Sequence, residues 1–480
     1  MSISSPSRFP NARGAGFFLL ILALAGCQAV PLPFLQPQPT PATPTSALPM
    51  ASATPIQWVE APSLETPSPQ VPGVLRIWLP PQFDPAAQTR AAELLRIRLE
   101  LFASLHPETR LEVRLKAESG PGGLLAALSA ASVSAPLALP DVVALPHPVL
   151  EAAALKGVIY PLDGFAPPLD PADWYPYAYQ LGYVQDRLYG LPFATDLLVM
   201  AYNPAELPSP PADWPALAVS GQALAFAAAD PQALFTLFHY RSLGGMLLDA
   251  ARRPTLDVEP LVQVLTAYQQ ANAGEVLPFW VSQFENDAQV WQALYSGEAH
   301  MGAVWASRFL NQAPQSAIPL AAAQLPALGG QPYSLATGWA WALASPDPER
   351  QALASELIQF LSESDFLAVW DAASGYLPPM LSAMQSWQPN LPVISTPTPH
   401  PYTPTPTPAA AETAAPTPPP PPSFLEMVSG LSVVAELLPP DDILAVLGPA
   451  LRQASLDVLK QQASPEDAAS TANAALGSPP

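Results

Sequence analysis

A regular alternation of short apolar strands and helical segments limits the folds open to this chain. Residues 74–79 and 111–115 have the pattern of buried strands, and residues 90–104 between them place leucine and phenylalanine at helical spacing. A small-residue helix over 122–131 and a third strand over 141–145 follow. The order strand, helix, strand, helix, strand predicts a parallel sheet with helices on both faces. The sequence therefore predicts an α/β fold.

The same alternation continues through the next two hundred residues or so. Further predicted strands are 198–202, 223–227, 301–305 and 339–344, and further predicted helices are 235–243, 261–273, 288–296 and 348–361. No internal repeat of 20–50 residues is found, which argues against a solenoid or propeller. The chain has 480 residues, enough for two or three ordinary domains.

Charge and cysteine content exclude several classes of partner and site. The formal net charge is -21, so a phosphate backbone is repelled and nucleic acid is not expected as a partner. The single cysteine, Cys27, excludes an internal disulfide framework and a multi-thiolate metal site.

Motifs for metal binding or catalysis are not found either. None of the five histidines has metal-ligand spacing to another histidine or to the cysteine. The sequence has no nucleophile elbow, no phosphate-binding loop and no cysteine–histidine dyad. We therefore expect no metal, no cofactor and no enzymatic activity.

The amino-terminal segment has the layout of a secretory signal. Arg8 and Arg13 precede an apolar run over 16–26, which is too short to span a bilayer comfortably. Residues 24–27 (LAGC) resemble the bacterial lipobox, and this resemblance implies cleavage before Cys27 and lipidation of its thiol. A signal peptide or anchor helix with an incidental cysteine is the alternative. We predict a signal over 1–27 and a protein lipid-anchored on the outer face of the cytoplasmic membrane.

Two proline-rich tracts separate the signal and the apolar elements from one another. Residues 28–72 and 395–423 are rich in Pro, Thr and Ala, with little hydrophobic periodicity. Such segments bury too little apolar surface to order themselves, so we predict a disordered linker and a proline-rich insertion or linker. The second tract also has the composition of an SH3-domain ligand, although a spacer outside the cell fits its position better.

Several short segments stand out along the chain: 140–143 (PDVV), 155–163 (LKGVIYPLD), 189–203 (YGLPFATDLLVMAYN), 244–249 (GGMLLD), 294–305 (LYSGEAHMGAVW), 338–343 (GWAWAL), 375–378 (GYLP) and 464–469 (SPEDAA). In this order they resemble the extracellular solute-binding proteins of ABC importers, of the sugar-binding, maltose-binding-protein-like type. The resemblance spans about residues 74–476, and the tract at 395–423 is a departure from the family pattern. The match at 464–469 favours a looped insertion there.

The resemblance implies a periplasmic-binding-protein-like fold of two α/β lobes, with a ligand cleft and hinge crossovers near 197–202 and 337–341. The first lobe would comprise 73–197 and 338–364, and the second lobe 198–337, 365–394 and 424–480. It also implies a monomer that closes on a small solute and docks on the transmembrane subunits of an ABC permease.

Aromatic side chains are candidates for stacking on a sugar, because sugars present apolar C–H faces. Trp305 lies at the position of a family stacking tryptophan, with a core tryptophan at a strand end as the alternative. Trp339 and Trp341 are two residues apart on a strand and share a face, so one would line the cleft while the other packs in the core.

The loop after the first strand is a further candidate. Trp78 ends that strand, and Gln82 and Phe83 follow it. Ligands of open α/β sheets lie beyond the carboxyl ends of the strands, which is where this loop would be.

Polar candidates are residues that could bind the hydroxyl rim of a sugar. Asp196, in the crossover segment, would accept from hydroxyls or act as a local cap, since a carboxylate in an apolar run needs a partner. Asp230 follows a predicted strand, and Tyr376 lies in the GYLP turn. For Asp141, at the start of a strand, a structural role is favoured.

The sequence thus predicts a receptor that captures a sugar or oligosaccharide for an ABC permease. Three alternatives stay open: a lipoprotein that presents its ligand to a signalling partner, a surface lipoprotein whose cleft has lost its ligand, and an exported glycosidase.

Overall fold

The computed structural model describes residues 73–392 and 422–477. The predicted signal with Cys27, the linker 28–72 and nearly all of the tract 395–423 lie outside the described residues. Within the described ranges, no helix combines the length and the apolarity needed to cross a bilayer.

The described residues form eleven strands and fifteen α-helices. The strands are β1 (Gly73–Leu79), β2 (Thr109–Leu115), β3 (Val142–Pro146), β4 (Tyr183–Val184), β5 (Arg187–Leu188), β6 (Gly190–Tyr202), β7 (Leu224–Ala225), β8 (Met301–Trp305), β9 (Ala321–Ala323), β10 (Leu335–Leu343) and β11 (Glu436–Leu437). The helices are α1 (Arg90–Leu105), α2 (Leu124–Ser134), α3 (His147–Leu155), α4 (Pro176–Gly182), α5 (Trp214–Ala218), α6 (Leu234–Ser242), α7 (Val258–Ala273), α8 (Asp287–Ser296), α9 (Ala306–Gln312), α10 (Pro348–Leu361), α11 (Ser364–Ser374), α12 (Leu381–Ser386), α13 (Phe424–Val434), α14 (Asp441–Leu459) and α15 (Pro465–Gly477).

The first three long strands are parallel, as the sequence predicted. β1 pairs with β2 along its whole length and with β3 at Ile77 and Trp78. The connecting helix α1 begins where the Thr89 hydroxyl accepts a hydrogen bond from the Ala92 amide (3.1 Å). Helix α1 buries one face against the sheet, because its apolar residues recur every three or four positions.

Two long strands, β6 and β10, join the halves of the molecule. β6 pairs antiparallel with β10 from Gly190 to Leu197 and then with β8 from Leu198 to Tyr202. All 13 residues of β6 are buried. A strand buried on both faces has no alternating pattern, so the apolar pattern indicated only 198–202, whereas the family resemblance covered 189–203.

The sheet is continuous but mixed in direction. The sheet has nine strands. Seven of them follow the order β2-β1-β3-β10-β6-β8-β7, and the other two pair at the side, β11 with β10 and β9 with β6. β10 is antiparallel to β3 and to β6, whereas β7 is parallel to β8. Strands β1, β2, β3 and β6 therefore run in one direction, and β10, β8 and β7 run in the opposite direction.

Two separate hydrophobic cores define two lobes on this sheet. The first lobe is the part of the chain packed around the first core, whose members include Ile77, Leu95, Val143, Leu150, Phe193, Trp341, Ile358 and Leu367. The second lobe is packed around the second core, whose members include Val199, Phe226, Tyr240, Leu265, Met301, Phe309, Leu447 and Val458. The predicted two-lobed α/β fold is confirmed.

One boundary between the lobes differs from the sequence expectation. Residues 365–394 were expected in the second lobe, but Leu367, Ala368 and Trp370 of α11 belong to the first core. The Trp370 indole donates to the Ala91 carbonyl of α1 (3.1 Å). Helix α11 is amphipathic, and amphipathicity alone does not indicate which of two cores receives the apolar face.

The last three helices pack on the second core. Helix α13 begins with a capping box, in which the Ser423 hydroxyl accepts from the Glu426 amide and the Glu426 carboxylate accepts from the Ser423 amide. Met427, Val428 and Leu431 then enter the second core. The chain that follows residue 421 therefore completes the second lobe.

Candidate ligand-binding cleft

Trp305 lies at the carboxyl end of β8 and borders a cavity. Residues Met301 to Val304 of β8 are buried, whereas Trp305 is half-buried. Its ring packs partly against the second core and lines a cavity of about 220 Å³. Trp305 is also the residue immediately before α9. The strand end therefore fixes the position of an aromatic face next to open space.

The cavity is built from second-lobe residues that are distant in sequence. Its apolar wall consists of Leu198, Phe226, Ala227, Leu234, Phe235, Ala303 and Trp305, and its polar wall of Asp230, Gln232, Glu285, Asn286 and Asp287. Two residues singled out from the sequence, Trp305 and Asp230, are brought together here. The sequence analysis missed Phe226, Glu285 and Asp287. The only local signal for the two acids was their place just before the predicted helix 288–296.

Asp230 is held by the turn that starts α6. Its two carboxylate oxygens accept from the backbone amides of Gln232 (3.0 Å) and Leu234 (3.0 Å). Ala233, between them, has a φ of 52°, in the left-handed region that non-glycine residues seldom adopt. Burial raises the pKa of Asp230, and the two amide bonds oppose that shift. The carboxylate is thus fixed at a helix N-terminus on the cavity wall.

Asp287 is neutralised by a partner, but Glu285 is not. Asp287 makes a two-pronged ion pair with Arg308, with both N–O distances at 2.8 Å. Glu285 is exposed, and none of the cavity-lining residues is a lysine or arginine. The lining of the cavity therefore contains both acidic and aromatic side chains.

Asp196 lies on β6, beside the cavity, and is buried. Its Oδ1 accepts from the amides of Leu197 (3.0 Å) and Ser307 (3.0 Å), so it caps the first turn of α9 from a distant part of the chain. Burial raises the pKa of Asp196 to about 7, while the bonds from Ser307 oppose the shift and the Asp287 charge adds to it. The sequence analysis weighed a hydroxyl acceptor against a cap, and the structure shows a long-range cap.

Tyr376 belongs to a group of rings on the first-lobe side. Phe83 packs edge-on against Tyr376 (5.8 Å between centroids) and against Trp339 (5.0 Å). Burial raises the pKa of Tyr376, and the charges of Asp196 and Glu118 add to the shift. Gln82 is exposed, and its amide donates to Glu118 (3.4 Å). These contacts bring Tyr376, Phe83, Trp339 and Gln82 to one region next to Asp196.

Four of the predicted ligand contacts, Trp78, Phe83, Trp339 and Trp341, are core residues. Trp341 is 2% exposed and stacks on Phe193 at 4.2 Å between centroids, and Trp78 is 3% exposed. A ring enclosed by protein offers no face to a solute, so the structure places these rings in the core. The Lys116 ammonium lies 4.6 Å from the Trp78 ring centroid, a cation–π contact. Trp339 (7%) and Phe83 (3%) are also largely buried and support the Tyr376 wall.

Comparison with known protein families shows which family this chain matches. The model of the family described as bacterial extracellular solute-binding protein matches residues 103–393. The chain belongs to this family. Membership indicates that this solute-binding protein is exported. No curated protein sequence matches it.

Three solved structures share the fold of this chain. This solute-binding protein is 16% identical to the cyclic alpha-maltosyl-1,6-maltose binding protein of Arthrobacter globiformis, with a TM-score of 0.63 over 84% of this chain and 98% of that one. It is 12% identical to the maltose-binding periplasmic protein MalE of Listeria monocytogenes, with a TM-score of 0.62 over 84% and 97%. The GacH receptor of Streptomyces glaucescens shares 18% identity, with a TM-score of 0.59 over 84% and 97%. At these identities the likeness establishes the fold alone.

The cleft of this solute-binding protein offers two kinds of contact. The half-buried Trp305 ring lines the cavity and offers an apolar face, and the half-buried Tyr376 ring packs against the first core. Carboxylates at Asp230 and Glu285 present acceptors. Among residues 73–392 and 422–477, no group of three or more His, Cys, Asp or Glu side chains is placed to hold a metal ion. The arrangement is suited to binding a neutral polar solute by stacking and hydrogen bonding.

Proposed function

We propose that this protein captures a sugar or an oligosaccharide outside the cytoplasm and delivers it to the transmembrane subunits of an ABC permease, without changing the sugar chemically. The observation that carries the proposal is the cavity that Trp305 lines together with Asp230 and Glu285. A sugar has an apolar C–H face and a rim of hydroxyl donors, and this cavity has a partner for each.

The two-lobed architecture supports capture by closure. The lobes have separate cores, and β6 and β10 run through both of them. Strands that cross between lobes can act as hinges, because small changes in a few backbone angles rotate one core relative to the other. A solute held by Trp305 on one wall and Tyr376 on the other would favour the closed form.

The fold relatives support the choice of sugar. The Arthrobacter globiformis protein binds cyclic alpha-maltosyl-1,6-maltose, the Listeria monocytogenes protein was solved in complex with maltose, and the Streptomyces glaucescens receptor was solved with acarbose. All three ligands are sugars or built from sugar-like rings. The anchor we propose is the lipidated thiol of Cys27, with residues 28–72 as the tether.

A thermal-shift screen tests the proposal. Residues 28–480 would be melted with maltotetraose, cyclodextrins, other oligosaccharides, peptides and polyols. A sugar at 100 times its Kd raises the free energy of unfolding by ~2.7 kcal/mol. We expect one sugar class to raise the Tm and Trp305→Ala to abolish that rise. Tyr295→Ala, an exposed aromatic on α8 outside the cavity lining, is the matched control and should keep the rise.

The opposite outcome is equally informative. A well-folded protein whose Tm is unchanged by every sugar would contradict sugar capture. In that case a protein partner or a cleft without a ligand would be the better interpretation. Hydrolysis of a bound oligosaccharide, followed by chromatography, would contradict the absence of chemistry.

A further inference from the structure

We propose that Asn311 is a positioning residue that fixes the Tyr376 wall of the cleft relative to the Trp305 wall. The inference rests on the proposed function for its consequence, because both rings are there proposed to contact the solute. Its structural part, a hydrogen bond between the lobes, can be tested without any solute.

Asn311 belongs to the short helix α9, which starts directly after Trp305. Ala306, Phe309 and Leu310 of α9 are buried in the second core, so the helix moves with the second lobe. Its first turn is also tied to β6 by the bond from the Ser307 amide to Asp196. The position of α9 is therefore coupled to the position of the Trp305 ring.

The side chain of Asn311 reaches the other lobe. Its Nδ2 donates to the Ser307 carbonyl in its own helix (2.9 Å) and to the Ser374 carbonyl (3.1 Å). Ser374 is the last residue of α11, a helix whose apolar face lies in the first core. The carbonyls at a helix C-terminus lack partners within the helix, and Asn311 supplies one from across the lobe boundary.

Gly375, the residue that follows Ser374, shows how closely the end of α11 approaches Asn311. Gly375 has a φ of 77°, and a Cβ at that position would lie 2.2 Å from Asn311 Nδ2. Only a residue without a side chain allows the backbone to come this near. The amides of Gly375 (2.9 Å) and Tyr376 (3.1 Å) both donate to the Asp371 carbonyl, so Tyr376 follows the end of α11 rigidly.

The other side of the Tyr376 turn is fixed to the crossover strand. Leu377 and Thr195 exchange two backbone hydrogen bonds (2.9 Å each), and the Thr195 hydroxyl donates to the Leu377 carbonyl (2.8 Å). Thr195 precedes Asp196 on β6. The turn is thus held by buried bonds to the hinge strand on one side and by Asn311 on the other. Asn311 itself is exposed. Among the hydrogen bonds that hold the Tyr376 turn, the Asn311 bond can therefore break without leaving an unpaired polar group buried.

The consequence is a set distance between two aromatic walls. Without the Asn311 bond, the Tyr376 turn keeps its connection to β6 but loses its connection to α9 and Trp305. The lobes should then sample a wider range of separations, and a solute bound between the walls should leave faster. Most affinity changes among variants of one binding surface occur in the dissociation rate.

Spin-label distance measurements without solute provide the first test. Residues 28–480 contain no cysteine, so labels at Val133→Cys and Val219→Cys, which are 85% and 83% exposed, report on the lobes cleanly. Asn311→Asp keeps the shape of the side chain and removes the donor, and Asn311→Ala removes both. We expect both variants to broaden the distance distribution.

The control is Asn272→Ala. The Asn272 amide also donates to a backbone carbonyl, that of Leu277 (2.9 Å), but within the second lobe. Its loss should cost comparable stability and leave the distance distribution unchanged. Unbroadened distributions in both Asn311 variants, or equal broadening in Asn272→Ala, would overturn the inference.

Dissociation of maltotetraose provides the second test. Loss of one exposed hydrogen bond predicts dissociation about fivefold faster in Asn311→Asp, with Asn272→Ala unchanged. An unchanged dissociation rate in Asn311→Asp would overturn the link to the cleft. If maltotetraose and the other screened sugars do not bind the wild-type protein, the proposed function fails, and the spin-label distances still decide whether Asn311 holds the lobes.

Discussion

The Asp196 carboxylate accepts the backbone amide of Ser307 at 3.0 Å, across 111 residues of sequence. Asp196 lies on the strand that crosses between the lobes, and Ser307 lies in the first turn of the helix that follows Trp305. One buried carboxylate therefore connects the crossover strand to the segment that carries a cleft tryptophan.

This connection predicts a specific pH dependence of stability. Burial raises the folded-state pKa of Asp196 from the ordinary 3.8 to about 7. Between these two values the folded protein binds more protons at this site than the unfolded chain does, so the site's contribution to stability falls as the pH rises. Asp196→Asn removes this pH-dependent loss of stability. At pH 8 the variant should therefore have a higher Tm than the wild type, and its free energy of unfolding should be larger by on the order of a few kcal/mol.

The comparison of two pH values isolates the effect. At pH 4 the wild-type carboxyl is protonated when folded, so the difference in Tm between Asp196→Asn and wild type should nearly vanish. Scanning calorimetry at pH 4, 6 and 8 measures it. A difference that is constant with pH would indicate a loss of packing or capping instead of a titration.

Asp141 and Arg350 form an ion pair that should stabilise the first lobe. Asp141 is 1% exposed, accepts the Arg76 amide (2.7 Å) and pairs with both guanidinium nitrogens of Arg350 that face it. Removing one partner of such a pair leaves a buried charge, so Arg350→Met should lower the free energy of unfolding by about 3 kcal/mol. Urea unfolding measures this loss.

The double variant Asp141→Asn with Arg350→Met is the control. It removes the buried charge together with its partner and should recover part of the loss. A double variant less stable than Arg350→Met alone would contradict the explanation from an unpaired charge.

Two glycines in the same backbone conformation should respond differently to alanine. Gly297 and Gly375 each end a helix with a φ near 75°, but a Cβ at Gly297 meets no atom within 4 Å, whereas at Gly375 it meets Asn311. Gly297→Ala should cost only the left-handed strain, about 1 kcal/mol. Gly375→Ala should cost more, since Asn311 must also swing away from Ser374. Chemical unfolding compares them, and equal losses would contradict the close contact.

The burial of His239 predicts that the folded protein loses stability at low pH. The imidazole is fully buried, neither nitrogen has a hydrogen-bond partner, and rings of Trp214, Phe235, Phe238 and Tyr268 surround it. Burial lowers its pKa from 6.5 to about 3. Between these values the unfolded chain binds more protons, so stability falls as the pH falls below 6.5.

A substitution of similar volume tests this cause. His239→Leu should lose less stability than the wild type between pH 7 and pH 4.5, as followed by circular dichroism at several temperatures. If both proteins lose stability equally over this range, another group titrates. His147 of the first lobe is the next candidate, because burial lowers its pKa to about 4.

The acidic cavity should disfavour anionic solutes. Asp230, Glu285 and Asp287 line it, and Arg308 is already paired with Asp287. A uronate should bind at least about tenfold more weakly than the matching neutral sugar, by an amount that shrinks in salt. Glu285→Gln should reduce the difference in affinity between the uronate and the neutral sugar. Calorimetric titration of both sugars measures it, and equal affinities would contradict an electrostatic role for this wall.

Local periodicity made much of the secondary structure predictable. The strand Met301–Trp305 and the helix Pro348–Leu361 have the bounds that the sequence indicated, because each has a clear apolar pattern bounded by turn residues. The predicted strand 223–227 is reduced to Leu224–Ala225, since only those residues pair with β8. A strand forms only where a neighbouring strand provides hydrogen-bond partners for its backbone. The apolar periodicity of a segment does not indicate which strand that neighbour is.

The candidate site was predictable in part. Trp305 and Asp230 do line one cavity, but Trp341 and Trp78 are enclosed in the core. Spacing of two on a strand places Trp339 and Trp341 on one face, yet the same face is covered by Phe83 and Phe193. Whether an aromatic ring is a ligand contact or core depends on what the fold lays over it.

Composition, periodicity and ordered motifs along the chain were enough to predict the α/β class, the two proline-rich tracts and the likeness to solute-binding proteins. Three contacts are visible in the folded chain alone: Asp196 caps α9, α11 packs in the first lobe, and Asn311 binds the Ser374 carbonyl. Each of these pairs segments separated by tens to hundreds of residues. Such contacts depend on which surfaces pack together, and a local pattern specifies an apolar face without specifying its partner.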